Sequence, residues 1–206
     1  MSGIVGSYFN TRGSGVVAKL GTDGQVFTST GAGLSQGFEA AAGGGGLLQF
    51  KQTQVTEDGT RSGTTGAATW DEFDTDFRVV ITPTLSTSKI LVSFSVCASS
   101  SNYCYLRLVR EESTVDTVIA EADADGSSRQ QTTVGNIMYG TETYTGDFCG
   151  MTWLDAPATT NELTYKVEEA GHNTFWFNAN QNATDNNSSW RSVSTIQASE
   201  IAVGIL

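Results

Sequence analysis

The sequence is poor in the groups that catalysis uses most. Among 206 residues there is one histidine, His172. A Ser-His-Asp triad would have to use it, yet no G-x-S-x-G elbow accompanies it. It sits in "EEAGHNTF", which reads as a surface turn between strands. Catalytic zinc sites usually draw on more than one His, or on His with Cys, so neither metal nor cofactor is expected. The three cysteines, Cys97, Cys104 and Cys149, are odd in number and form no CxxC. They read as free, buried thiols and not as a disulfide framework. No apolar run is long enough to span a membrane. The start, "MSGIVGSYFNTRG", has no basic segment leading into an apolar one and does not read as a signal peptide. Basic residues are scarce: 11 Lys and Arg stand against 22 Asp and Glu, a net charge of −11. Nucleic-acid backbones reward clustered Lys and Arg, and here they are scattered. No nucleic-acid partner and no membrane insertion are expected.

What is present favours strands. Aromatics make up 10% and charged residues only 16%. With the Gly, Ser and Thr content, that balance suits an all-β protein. More than half of the 23 glycines precede Leu47, which divides the chain into an N-terminal arm, 1–46, and a body, 47–206. Inside the arm, "VVAKL" and "QVFTST" flank "GTDG". Asp23-Gly24 is a strong hairpin signal, because a type I′ turn needs positive φ at both central positions. A small hairpin of Val16–Leu20 and Gln25–Thr30 follows, too small to stand alone in water. Tyr8, Phe9, Val26, Phe27 and Phe38 are spaced along this small-residue segment as apolar anchors. They are the candidate attachment residues of the arm. Gly43 to Gly46 read as a flexible joint.

From Leu47 onward, short strands alternate with Gly, Ser, Thr, Asn and Asp clusters. They are "LLQFKQTQV", "FRVVITP", "SKILVSFSV", "NYCYLRLVR", "FCGMTWL", "LTYKVEE", "TFWFNAN" and "SVSTIQASEIAVGIL". In "SKILVSFSV", Ile90, Val92, Phe94 and Val96 face one way and Ser93 and Ser95 the other. Cys104, Leu106 and Leu108 oppose Arg107 in the next strand. No helix is evident. The pattern predicts an antiparallel β-sandwich, jelly-roll-like.

Several segments resemble functional motifs. "EADADG" places Glu121, Asp123, Asp125 and Gly126 as an EF-hand loop would. The twelfth position is Thr132 instead of the closing Glu, so a solvated acidic turn is expected. "WDEFDTDF" sets Asp71, Glu72, Asp74 and Asp76 among Trp70, Phe73 and Phe77. Paired carboxylates can hydrolyse glycosides, but a strand or edge with aromatics inward and acids outward explains the same letters. "WFNANQNATDNNSSW" is rich in Asn and aromatics. Asn182, Asn186, Asn187 and Trp190 are candidate surface ligand-binding residues, and the same segment also suits an exposed hairpin loop.

"NTRGSGVVAKLGTDGQVFTSTGAG" with "FEAAAGGGG" resembles the lead-in of structural proteins of marine tailed phages, including cyanophages, of the tail-fibre and tail-fibre-like kind. "ITPTLSTSKILVSFSV", "YLRLVR", "TWLDAPATTNELTYKV" and "STIQASEIA" continue the resemblance through most of the chain. It implies a non-enzymatic virion component with a β-sandwich body, commonly a homotrimer, made in the bacterial host cytoplasm and carried on the phage particle. Its partners would be itself, other virion proteins of tail or capsid, and a host surface glycan. The chain lacks a long shaft of repeats. That favours a short trimeric surface fibre held by its arm and contributing to host adhesion. The alternatives are a capsid decoration protein and a carbohydrate-binding or polysaccharide-degrading module.

Overall fold

A twelve-residue strand, β7 (Lys89–Ser100), organises the body. Ile90, Val92, Phe94 and Val96 are buried and Ser93 and Ser95 are half-buried, as the two-residue period of a strand requires. The computed structural model of the chain describes residues 25–28, 37–40, 46–63, 69–100, 102–126, 128–135, 146–171, 173–181 and 185–202. The chain divides into two compact units, with the boundary between Gly46 and Leu47.

In the first unit, β1 (Gln25–Thr28) pairs antiparallel with β2 (Gly37–Ala40), placing Phe27 opposite Phe38. The described partner of Gln25–Thr28 is therefore a later segment than the hairpin signal suggests. Val16–Leu20 and the Asp23-Gly24 turn lie outside the described residues, as do Tyr8 and Phe9.

The second unit holds β3 (Leu47–Val55), β4 (Gly59–Gly63), β5 (Asp71–Glu72), β6 (Arg78–Ile81), β7, β8 (Cys104–Glu112), β9 (Val115–Ala120), β10 (Asp147–Asp155), β11 (Leu163–Gly171), β12 (Asn173–Phe177) and β13 (Ser194–Ile201). All described pairings are antiparallel. β10 runs along one edge of β7 from Ile90 to Ala98. On the other edge, β13 covers Lys89–Ser95 and β12 covers Ala98–Ser100. β12 and β13 are thus two halves of one line, and β4 and β3 form a parallel-running pair of halves beside them. In the second sheet β6 and β5 likewise share one edge of β11.

Merging the halves gives eight lines in chain order: β3/β4, β5/β6, β7, β8, β9, β10, β11 and β12/β13. The first sheet reads first, eighth, third, sixth, and the second reads second, seventh, fourth, fifth. That order is a jelly roll, a two-sheet antiparallel sandwich.

The core lies between the sheets. Phe73 and Phe77 are fully enclosed and meet Phe175 and Phe177 edge to face, with Phe73 at 5.0 and 4.7 Å from the latter two. Edge-to-face rings add roughly 0.5–1.5 kcal/mol per pair beyond area burial. "WDEFDTDF" is accordingly a corner with Phe73 and Phe77 inward and Trp70 half-buried. All three cysteines are free; Cys97 and Cys104 are buried and Cys149 packs partly against the core.

Two polar clusters tie the sandwich. At the end of β10, Asp155 accepts two bonds from Arg110 Nη1, at 2.9 and 2.8 Å, and one from Tyr165 Oη at 2.8 Å. Arg110 and Tyr165 belong to the opposite sheet, so this trio joins the two layers. Burial, then the neighbouring Asp155, push the Tyr165 hydroxyl pKa well up. On β13, the fully buried Glu200 accepts from Gln49 Nε2 at 2.6 Å, and from Thr84 N and Oγ1 at 2.7 and 2.8 Å. Burial works to raise its pKa, but these hydrogen bonds outweigh burial and hold it below the usual 4.5. A folded pKa below the unfolded one stabilises the fold above the unfolded value, and the gain is lost as pH falls through the folded value. Thermal unfolding followed from about pH 6 to about pH 3 should therefore show a smaller acid loss for Glu200→Gln than for the parent. Equal acid slopes would remove Glu200 from the account.

Candidate functional site

The break between β12 and β13 extrudes the segment 179–193 from the sheet. Its base is closed by Asn178. That residue adopts a φ of 54°, which Asn tolerates better than most side chains. Its backbone N–H donates to Cys97 O at 2.9 Å and its carbonyl accepts from Ser192 N at 3.0 Å. Asn178 Nδ2 donates to Val55 O and Glu57 O, at 2.8 and 2.9 Å, spanning the break between β3 and β4. Asn178 Oδ1 accepts from Ser194 Oγ at 2.7 Å, and Ser194 Oγ accepts from Cys97 N at 3.0 Å. One buried amide therefore stitches two strand breaks.

The extruded loop carries a cavity of about 320 Å³ beside Asp58, Asp185, Asn186, Trp190 and Arg191. Arg191 is held by Asp58 at 2.5 Å and Glu57 at 3.4 Å. Trp190 is half-buried and lies so close to Gly146 that a Cβ there would collide with its ring. Asn186 Oδ1 accepts from Ser188 N and Ser189 N, at 2.9 and 3.0 Å, which shapes the turn. Asn180, next in sequence to the cavity-lining Ala179, is fully buried, and its side-chain oxygen and nitrogen have no hydrogen-bond partner among the described residues. An indole face ringed by amide, carboxylate and guanidinium groups can stack on a sugar ring and bond its hydroxyls.

Of the sequence candidates, Asn186 and Trp190 come together at this cavity. Asn187 is exposed beside it, and Asn182 lies outside the described residues, as does His172. Val26, Phe27 and Phe38 fall on β1 and β2. In the acidic corner, Glu72 pairs with Arg78, Asp74 Oδ1 accepts from Asp76 N at 2.8 Å, and the Arg107 guanidinium lies 4.4 Å above the Trp70 ring. Glu121, Asp123 and Asp125 are exposed, and Asp125 pairs with Arg129.

A second surface has no counterpart in the motif reading. Among the described residues the two edges of the first sheet are apolar and have no strand beyond them. On β10, Phe148 is 66% exposed, and Met151, Trp153 and Leu154 are also exposed. On β3, Leu47 is 61% and Phe50 48% exposed, with Leu48 beside them. Among the described residues β10 pairs only with β7 and β3 only with β13. Natural sheets blunt free edges with short strands, lysines, prolines or bulges. The second sheet does so: its edges are the short β5 and β6, with Arg78 on β6, and β9, where the register slips at Leu108/Val109. β10 is nine residues long and has neither proline nor lysine.

No protein-family model matches the sequence, and no curated protein matches it. One solved structure similar to the chain is the VP2 subviral particle of infectious bursal disease virus. It shares 9% sequence identity at a TM-score of 0.32, over 85% of this chain and 41% of that one. The chain thus corresponds to less than half of that protein's length. The jelly-roll assignment rests on strand order alone.

Proposed function

We propose that the chain is a non-enzymatic structural protein of a tailed-phage particle: a short surface fibre, trimeric through its sandwich and held to the virion by its first unit. The observation that carries this reading is the pair of apolar strand edges on the first sheet, since an exposed apolar edge is a template for pairing with another chain. The sequence resemblance supplies the virion and the trimer. The cavity at Trp190 supports host adhesion, with a surface glycan as the ligand. In the acidic corner Glu72 is paired with Arg78 and Asp74 accepts from Asp76 N, which supports a role without catalysis there.

A chain lacking residues 1–46 should keep a folded body with a nearly unchanged melting temperature and should fail to join particles. Electron microscopy of particles grown with full-length and shortened chains reads this directly. A shortened chain that decorates particles at the normal copy number would move the anchor to the body.

A further inference from the structure

The geometry points to a specific assembly contact: β10 of one copy pairs with β3 of the next, so that the first sheet continues from subunit to subunit. This presupposes the trimeric assembly proposed above and says how it is built. β10 and β3 are the two open edges of the same sheet, and each is nine residues long. β3 and β7 run in one direction and β10 and β13 in the other, because every neighbouring pair is antiparallel. Copies related by rotation about an axis along the strands therefore present β10 antiparallel to β3. Such a head-to-tail contact is heterologous, and a closing rotation makes it a ring.

Charge selects this pairing over the two symmetric ones. β10 begins at Asp147 and ends at Asp155. Pairing β10 with β10 in register sets Asp147 against Asp155 at both ends. β3 runs from Leu47 to Val55 and is centred on the exposed Lys51. Pairing β3 with β3 sets that lysine against its own copy. Like charges directly opposite each other destabilise a sheet. Pairing β10 with β3 in register sets Lys51 opposite Met151 and Phe148 opposite Gln54, with no like charges opposed. Faces agree as well. Asp155 and Val55 are the buried ends of their strands, so Phe148, Leu154 and Phe50 fall together on the outer face. The contact supplies backbone partners to both edges at once, as in strand addition.

The full-length chain carries the test. Light scattering on Met151→Lys should report one chain where the parent reports three, a threefold drop in mass, because the new lysine meets Lys51 of the next copy. Adding Lys51→Glu should restore three. Circular dichroism should be unchanged throughout, since both side chains are exposed. Independently, Phe148→Cys and Gln54→Cys should be linked between copies by a short bis-maleimide only when both are present. Native thiols stay silent: burial pushes Cys149 up to about 12 and also raises Cys97 and Cys104. A monomeric parent overturns the trimer and this pairing together. A trimer that Met151→Lys leaves intact, or that links through Phe148→Cys alone, overturns the pairing and leaves the trimer standing.

Discussion

Asp155→Ala should lower the free energy of unfolding by about 2–4 kcal/mol, because it takes the buried carboxylate away from the half-buried Arg110 and from Tyr165. In a body of this size that corresponds to a fall of roughly 10 °C in melting temperature. The carboxylate lies at the last residue of β10 and, among the described residues, bonds to the opposite sheet through Arg110 Nη1 and Tyr165 Oη. Its removal therefore strands two polar groups at once and releases the end of an edge strand. An apolar replacement of the whole trio, Asp155→Leu with Arg110→Met and Tyr165→Phe, should recover most of the loss. Buried ion pairs are often no better than well-packed apolar groups of like volume. Denaturant unfolding measures both. A loss below about 1 kcal/mol for Asp155→Ala would mean that Arg110 is hydrated and that the trio contributes little.

Asn178→Ala is the second large effect expected, at about 3–5 kcal/mol. The buried carbonyl of Val55 and the partly buried carbonyl of Glu57 lose their donor, and Ser194 Oγ loses its acceptor. Each unsatisfied buried group costs roughly 1–3 kcal/mol. Alanine is also strained at a φ of 54°. Asn178→Gly removes the strain but not the lost bonds, so it should be milder than alanine by about 1 kcal/mol. Limited proteolysis gives the second readout, with cleavage within 179–193 rising in both variants. Equal stability of alanine and glycine variants would show that the left-handed backbone is not a cost at this position.

Much of the architecture is visible in the letters, and the rest is hidden for identifiable reasons. Alternation finds β7 and β8, because their apolar and polar residues fall on opposite faces of a half-buried sheet. It does not find β9, which follows β8 through the two-residue turn Ser113-Thr114. Both residues have positive φ, 49° and 69°, without the Asn or Gly that normally announces such a turn. β4, "GTRSG", has no apolar residue and exists only through its pairing with β12. Asn and aromatic content singles out Asn186 and Trp190. The same content says nothing about Asn178, whose partners Val55 and Glu57 are over a hundred positions away. "FCGMTWL" carries apolar letters as "SKILVSFSV" does, yet β10 is exposed and β7 is buried. Position at the rim or the middle of a sheet is a property of topology and leaves no mark on a single strand.

The knot of bonds around Asn178 also separates the length of a loop from the register of a sheet. Residues 179–193 begin and end at one rung of β7, where Asn178 N–H donates to Cys97 O and Cys97 N–H donates to Ser194 Oγ. Insertions or deletions beyond that clasp leave β13 in place against Phe94 and Val92. Doubling such an excursion adds only about 0.6 kcal/mol of closure entropy. A lineage could exchange the whole outer segment, with its tryptophan and its asparagines, for one of another size and chemistry. The sandwich beneath would fold as before, and the variable surface would evolve as an interchangeable module on a fixed socket.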